Sequence, residues 1–461
     1  MGKNKTKKRT RRPNKGWLSG SSATQTICGS FLLVIAVGTL LLTLPISSRT
    51  GRLGVIDAMF TATSATCVTG LVVRDTWSQF SLFGQVIVLM LIQVGGLGLV
   101  TLTSFFALAA RRRMGFRDLR LLGESVSADG LSKATEVLKI VIKLAVAFEA
   151  VGIVLLLFAF VPQFGAEGVW VSVFTAISAF CNAGFDLFGR FGSYSSLVPY
   201  VNNYYVQAVI MFMIMAGGLG FMVWVELAEY RKKRRLSLHA KVVLQFSVIF
   251  WVGGAVLLAL LEWSNPRTMG GLSVPGKIMA ALFQSVSTRT AGMNTIDLAA
   301  CSPISKLLMS VLQFIGAAPG STGGGVKVTT FAVLILTIRS VAQGRDDCVI
   351  GGHHIESKTV YRALTIIVIG AVAAFGSAVV VYYNTAETVS VIDCIFESCS
   401  AFGTVGLSVG VTGQLNTGAK LLYMACMFMG RVGPVSLAIS LTAKPDDNKR
   451  KVLPVGHINV G

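Results

Sequence analysis

The chain has 461 residues, 53 % of them hydrophobic and only 13 % charged, whereas roughly a quarter charged is usual in soluble domains. That balance excludes a soluble globular protein and points to a polytopic membrane protein whose first partner is the lipid bilayer. The net charge of +20 would suit nucleic acid only if it sat on a soluble surface. Here the cations lie between apolar segments, so nucleic acid is excluded as a partner.

The elements fall in four units along the chain. Residues 1–20 form a basic tail carrying the run Lys3–Lys15. The first unit, 21–110, has apolar spans at Thr26–Leu44 and Leu82–Ala110 around a short Ser/Thr-rich stretch, Asp57–Ala65. The second, 111–230, opens with a basic loop and has spans at Leu138–Val161 and Tyr204–Leu227. The third, 231–340, has one span at Val242–Leu261 and a broken one, Leu307–Ile338. The fourth, 341–443, has spans at Leu364–Val381 and Leu421–Leu441 around Val391–Ala401, and 444–461 form a second tail. A helix needs about 20 apolar residues to cross the hydrocarbon core, so eight spans are expected. The basic runs Lys3–Lys15, Arg111–Arg120, Arg231–Lys241 and Arg339–Lys358 all fall on one side, which the positive-inside rule makes the cytoplasm for both termini. The first apolar segment is too long for a signal peptide and has no small-residue cleavage site.

The units share a loop. "FTATSATCVTGL" ending at Leu71, "FTAISAFCNAGF" ending at Phe185, "FQSVSTRTAGM" ending at Met293 and the segment around Thr404-Val405-Gly406 align on Gly70, Gly184, Gly292 and Gly406, which are 114, 108 and 114 residues apart. Small-residue clusters recur downstream at Gly95–Gly98, Gly217–Gly220, Gly316–Gly320 and Gly430–Gly433. A stretch of ten helical residues rises only about 15 Å, half the hydrocarbon core of roughly 30 Å. Each pre-loop stretch therefore enters the membrane without crossing it, and non-helical backbone at that depth must be buried in protein or line a wet cavity. The expected fold is all-α: four helix, half-helix, loop, helix repeats around a pseudo-fourfold pore, with eight spanning helices and four half-helices.

The loop tripeptides are Val68-Thr69-Gly70, Asn182-Ala183-Gly184, Thr290-Ala291-Gly292 and Thr404-Val405-Gly406. To replace an ion's hydration shell, successive carbonyls must face the axis, and glycine accepts the backbone conformations this requires. Half-helix C-termini aimed at the cavity favour a cation through the negative end of the helix dipole. The expected ligand is a potassium ion held by the filter backbone. The residues after the glycines, Leu71, Phe185, Met293 and Leu407, supply no second glycine, so the filter is expected to be short.

These four loops, with "GAAPGSTGGGVK" (Gly316–Lys327) and "GRVGP" (Gly430–Pro434), resemble the Trk/Ktr/HKT superfamily of potassium transporters, most closely its KtrB-type membrane subunit. The resemblance implies potassium uptake across the plasma membrane, a homodimer with one pore per protomer, and a cytoplasmic nucleotide-binding ring of KtrA type. It assigns the four loop glycines to the selectivity filter. Gly70, commonly serine in sodium-favouring relatives, supports potassium, and sodium is admitted as a stimulating ion. The resemblance makes Gly316–Lys327 the gate, comprising Gly316, Ala317, Ala318, Pro319, Gly320, Ser321, Thr322, Gly323, Gly324, Gly325 and Lys327, with Arg431 standing near it. A proline and five glycines cannot hold a continuous helix, and a broken membrane segment usually lines an ion path. Lys327 does not complete a phosphate-binding loop, because the Gly-Lys-Ser/Thr ending and a preceding strand are missing.

Arg431 and Glu149 lie inside apolar segments, where ionisable groups are costly and usually functional. Arg289, before the third tripeptide, is expected to anchor its loop from behind, to Asp297 or Glu397. Asp57, Asp186, Asp393 and Glu397 lie near the outer mouth, either concentrating cations or capping half-helices. The eight cysteines form no CxxC pair, and His353-His354 lacks neighbouring ligands at metal spacing, so neither disulfides nor a structural metal are expected. No set of His, Cys and carboxylates suits catalysis, so the chain is not an enzyme. Four units in one orientation suit a channel-like pore; a symporter built on alternating access more often uses inverted repeats.

Overall fold

Among the described residues four helices are long and apolar enough to cross a membrane, Gln25–Leu42, Leu138–Phe164, Leu238–Glu262 and Ser357–Asn384, and each opens one of the four repeats. The computed structural model describes residues 23–98, 134–345, 348–385 and 388–434. The tails 1–20 and 444–461, the basic loop Arg111–Arg120 and the far ends of Leu82–Ala110 and Leu421–Leu441 lie outside the described residues. The opening helices turn large side chains outward, with Leu40 67 %, Phe158 72 %, Leu260 74 % and Val372 69 % exposed. Such surfaces are stable only against lipid or another apolar partner.

Behind each opening helix sits a shorter one: Val55–Thr66, Glu167–Phe180, Val274–Ser287 and Val391–Gly403. Their 12 to 14 residues rise about 18–21 Å, too little to cross. Ser273 and Ser390 start two of them by accepting from the backbone N–H of Gly276 and Asp393, which satisfies a donor the first turn leaves free. These half-helices are the interior of the molecule. Phe60, Phe174, Phe283 and Phe396, one per repeat, are fully buried.

The closing helix of each repeat departs from the expectation of a break in the third repeat alone. Leu82–Leu97 stops at Gly98, Tyr204–Gly218 and Phe221–Lys233 meet around Gly220, and Thr417–Val432 stops at Gly433. These three glycines have φ of 82°, 90° and 94°, in the left-handed region that a side chain resists. The bend at Gly220 is 98°, so the expected continuous span Tyr204–Leu227 is two segments. In the third repeat, Pro303–Phe314 and Val328–Ala342 flank the expected interruption. All four closing helices therefore end or break at their small-residue clusters.

Two two-residue strands, Val349–Ile350 and His353–His354, pair in an antiparallel hairpin. Its turn, Gly351-Gly352, has φ of +54° and +80°, the left-handed pair that a tight hairpin demands.

Candidate functional site

The four tripeptides come together at the centre of the molecule. In each the first residue is left-handed, with φ of 57° at Val68, 57° at Asn182, 74° at Thr290 and 51° at Thr404. The glycines at the third position have φ of 91°, 72°, 76° and 93°. The β-branched residues at the first position pay for this, since a non-glycine in that region costs about 1–3 kcal/mol. Four different sequences held in one strained conformation require a shared scaffold.

That scaffold is a serine in each half-helix. The backbone N–H of Thr69, Ala183, Ala291 and Val405 donates to the carbonyl of Ser64, Ser178, Ser287 and Ser400 at 2.8–2.9 Å. The same serines use their hydroxyls: Ser64 and Ser400 accept from the N–H of Gly70 and Gly406 at 3.1 and 3.0 Å. Ser178 donates to the carbonyl of Phe185 at 2.6 Å, and Ser287 donates to that of Met293. The sequence reading overlooked these serines. Their signal was Phe-x-x-x-Ser, present once before every loop glycine.

The loops close in a ring in chain order. A Cβ added to Gly70 would lie 2.5 Å from the carbonyl oxygen of Ala183, and one on Gly184 3.0 Å from that of Ala291. One on Gly292 would lie 2.5 Å from the carbonyl oxygen of Val405, and one on Gly406 would meet that of Thr69. Each glycine thus faces the middle carbonyl of the next repeat, leaving no room for a side chain. All twelve tripeptide residues are buried.

The segment Gly316–Lys327 crosses directly beneath this ring. Gly316 donates to Val326 at 2.7 Å, which closes its neck. Ala318 and Thr322 donate to the carbonyls of Gly218 and Gly217, and the hydroxyl of Thr322 donates to that of Phe180. Gly325 donates to the carbonyl of Gly430, and the N–H of Gly324 to the hydroxyl of Thr404 at 3.1 Å. A Cβ at Gly323 would strike the hydroxyl of Thr290, and one at Gly324 that of Thr404. Segment and ring are in contact. Lys327 turns back to the carbonyl of Gly323 at 2.5 Å.

Two arginines hold this segment. Arg431 donates to the carbonyl of Thr322 within it and to those of Gly95 and Gly96 in the first repeat. Arg289, 5 % exposed, donates to the carbonyls of Ile315 and Gly316, the latter at 2.7 Å, and its guanidinium lies 4.7 Å from the ring centroid of Phe250. Its expected partners Asp297 and Glu397 are not the ones it has. Asp297 accepts from the backbone of Ala299, and Glu397 accepts from Ser408, Val409, Val411 and Thr412, tying down the loop beyond the fourth tripeptide.

The other expected acids also have specific partners. Asp57 pairs with Lys420 at 2.7 Å and Arg74 at 3.1 Å. Burial pushes its carboxyl up, but these two cations outweigh burial and hold it below the usual carboxylate value. Asp393 pairs with Lys306 at 2.7 Å. The caps at these half-helices are Gly54 and Ser390, so neither acid is a cap, and both are neutralised. Asp186 accepts from the N–H of Phe188 at 3.0 Å. Burial pushes its carboxyl up to about 7, with the charge on Asp75 adding to the effect. Glu149 accepts from Gln93 at 2.8 Å, and the thiol of Cys181, beside Asn182, reaches the same amide at 3.7 Å.

Comparison with known proteins bears on the whole chain. Residues 7–451 match the family described as TrkH, cation transport protein. The chain is 34 % identical to the Ktr system potassium uptake protein B of Bacillus subtilis, over 95 % of this chain and 96 % of that one. It is 38 % identical to the Ktr system potassium uptake protein B of Vibrio alginolyticus, over 90 % of each. It is 36 % identical to the potassium/sodium uptake protein NtpJ of Enterococcus hirae, over 92 % of this chain and 93 % of that one. The crystal structure of the potassium transporter TrkH from Vibrio parahaemolyticus shares the fold, with a TM-score of 0.71 at 18 % identity over 94 % of this chain and 87 % of that one. The chain belongs to the TrkH family of cation transport proteins and is a multi-pass membrane transporter, not an enzyme.

Proposed function

We propose that the chain takes up potassium through a channel-like pore whose selectivity filter is the ring of Gly70, Gly184, Gly292 and Gly406 with the tripeptides that carry them. The observation that carries this reading is the cyclic contact of each glycine with the middle carbonyl of the next repeat. Carbonyls brought together from four walls can replace the water around a bare cation. Four half-helices ending at the ring add the negative ends of their dipoles. Uptake is then driven by the membrane potential, at about 2.3 kcal/mol per charge per 100 mV.

Gly316–Lys327 serves as the gate. It lies under the ring, contacts Thr290 and Thr404, and is held by Arg289 and Arg431, so an ion leaves the ring only if the segment moves. The basic loops put the gate side in the cytoplasm of the plasma membrane, and both termini with it. The names of the two Ktr relatives support a Ktr-type assembly: a homodimer on a cytoplasmic, nucleotide-binding ring of KtrA type that sets the position of the gate. The Enterococcus hirae relative is named for sodium as well as potassium, so sodium is the ion a selectivity test must exclude.

The test is growth at low potassium of cells stripped of their own uptake systems. Expression of the chain restores growth if the reading is right, and the absence of both growth and radioactive rubidium uptake from a correctly inserted protein overturns it.

A further inference from the structure

Two adjoining cavities lie away from the pore, between the start of Leu238–Glu262, the helix Val328–Ala342, the Val349–His354 hairpin and the start of Ser357–Asn384. One, of about 470 Å³, is lined by Lys241, Arg339 and Arg345. The other, of about 340 Å³, has mainly apolar walls that include Val333, Ala363 and Ile366, with His239 and the cation Arg362 also on its lining. Leu238, Val242 and Ile350 line both, so the two are chambers of one amphipathic groove. No carboxylate among the described residues lines either chamber. Each chamber is within the usual size of a ligand site, about 300–1,000 Å³.

We propose that this groove binds one anionic phospholipid of the inner leaflet, with its phosphate among Lys241, Arg339 and Arg345 and an acyl chain in the apolar chamber. Charge complementarity selects the headgroup: three cations with no facing carboxylate suit a phosphate diester. Location selects a lipid over a soluble anion. Val328–Ala342 turns Ile335, Ile338 and Val341 outward, 40 %, 57 % and 64 % exposed, so the groove opens beside an exposed apolar surface of the kind a bilayer covers. The inner-leaflet placement rests on the orientation proposed above, whereas the binding itself does not. Thr329 and Thr330 line the apolar chamber and lie two and three residues after Lys327, so the bound lipid touches the helix into which the gating segment runs.

The experiment is native mass spectrometry of the full-length protein in detergent, titrated with phosphatidylglycerol, phosphatidylcholine or glycerol phosphate. Phosphatidylglycerol is retained selectively. Lys241→Gln, Arg339→Gln and Arg345→Gln each weaken retention about fivefold, the equivalent of the ~1 kcal/mol that one basic side chain contributes beside an anionic lipid. Thr359→Trp, which fills the apolar chamber from its exposed rim, abolishes retention with all three cations in place. Arg267→Gln, an exposed cation far from the groove, keeps wild-type retention and shows that total charge is not the cause. Equal retention of phosphatidylcholine, or unchanged phosphatidylglycerol binding in the Gln variants, overturns the proposal. Glycerol phosphate held as tightly as phosphatidylglycerol and unaffected by Thr359→Trp replaces the lipid with a soluble anion. Sidedness is read separately: labelling of Lys241→Cys from outside intact cells overturns the orientation and leaves the binding result standing.

Discussion

Replacing Gly70 with serine perturbs the ring at one of its tight contacts. The new Cβ would sit 2.5 Å from the carbonyl oxygen of Ala183 and 2.9 Å from the Cα of Gly184, where ordinary contact begins at about 3.5 Å. The second loop must retreat by about 1 Å, because φ of 91° at residue 70 leaves the serine no relaxed alternative. The carbonyl of Ala183 then leaves its place in the cage. An interaction of a neutral dipole with a full charge contributes about 1.5–3 kcal/mol, so potassium affinity should fall about 10- to 100-fold. Sodium, which the intact cage coordinates less well, has less to lose, so the preference for potassium narrows. The assay is rubidium uptake in potassium-uptake-deficient cells, with the KM for potassium and inhibition by sodium measured for both proteins, and with monodispersity checked in detergent. A KM and a sodium inhibition constant within twofold of wild type would refute the assignment of Gly70 to the filter.

Four further outcomes follow from the same geometry. Deleting residues 317–325 joins Gly316 to Val326, whose backbones already hydrogen-bond to each other, so the protein should fold and its basal flux should rise severalfold; unchanged flux in reconstituted vesicles would remove the gate role. Arg289→Gln leaves the carbonyls of Ile315 and Gly316 short of a donor and should raise basal flux without changing potassium-over-sodium preference, whereas altered preference would make Arg289 part of the filter. Arg431→Lys keeps the charge but loses the planar fork that reaches three carbonyls, so flux should rise as it does in Arg431→Met; wild-type flux in the Lys variant would mean that charge alone closes the path. Asp186 is neutral below its raised pKa and charged above it, so apparent potassium affinity should fall as external pH drops through about 7, and Asp186→Asn should abolish that dependence.

The fourfold plan was legible because a ring built from four loops of one chain must repeat its glycine, and Gly70, Gly184, Gly292 and Gly406 sit at near-equal intervals. The half-helices were legible from length alone. The breaks at Gly98, Gly220 and Gly433 were not, because glycine is common and tolerated inside membrane helices and only the proline of the third repeat advertises a break. The left-handed residues Val68, Thr290 and Thr404 carry no local signal, since β-branched side chains ordinarily avoid that conformation. Arg289 was placed beside acids because acids are visible in a sequence. Its true partners are backbone carbonyls, which every residue has. Glu149 gave no hint of Gln93, 56 residues earlier, because nothing local in the sequence signals a partner so far away in the chain.

The two arginines that hold Gly316–Lys327 share a feature that bears on how the proposed gate would close. Both are held by neutral carbonyls, and neither pairs with a carboxylate among the described residues, so each keeps its full charge close to the proposed ion path. At a separation of several ångströms in a poorly polarisable surrounding, a fixed cation opposes a passing one by several kcal/mol. A lysine would supply the same charge. Only the arginine fork also bonds two or three carbonyls at once, and those carbonyls belong to different repeats: Gly95 and Gly96 to the first, Thr322 to the third. Moving the segment must therefore break bonds between repeats and draw the charge aside in one motion. A barrier made of charge alone would leak as ionic strength rose, and a latch made of hydrogen bonds alone would leave the path electrically open whenever it frayed. Arg431 combines the two in one side chain, which explains why one repeat of four carries it.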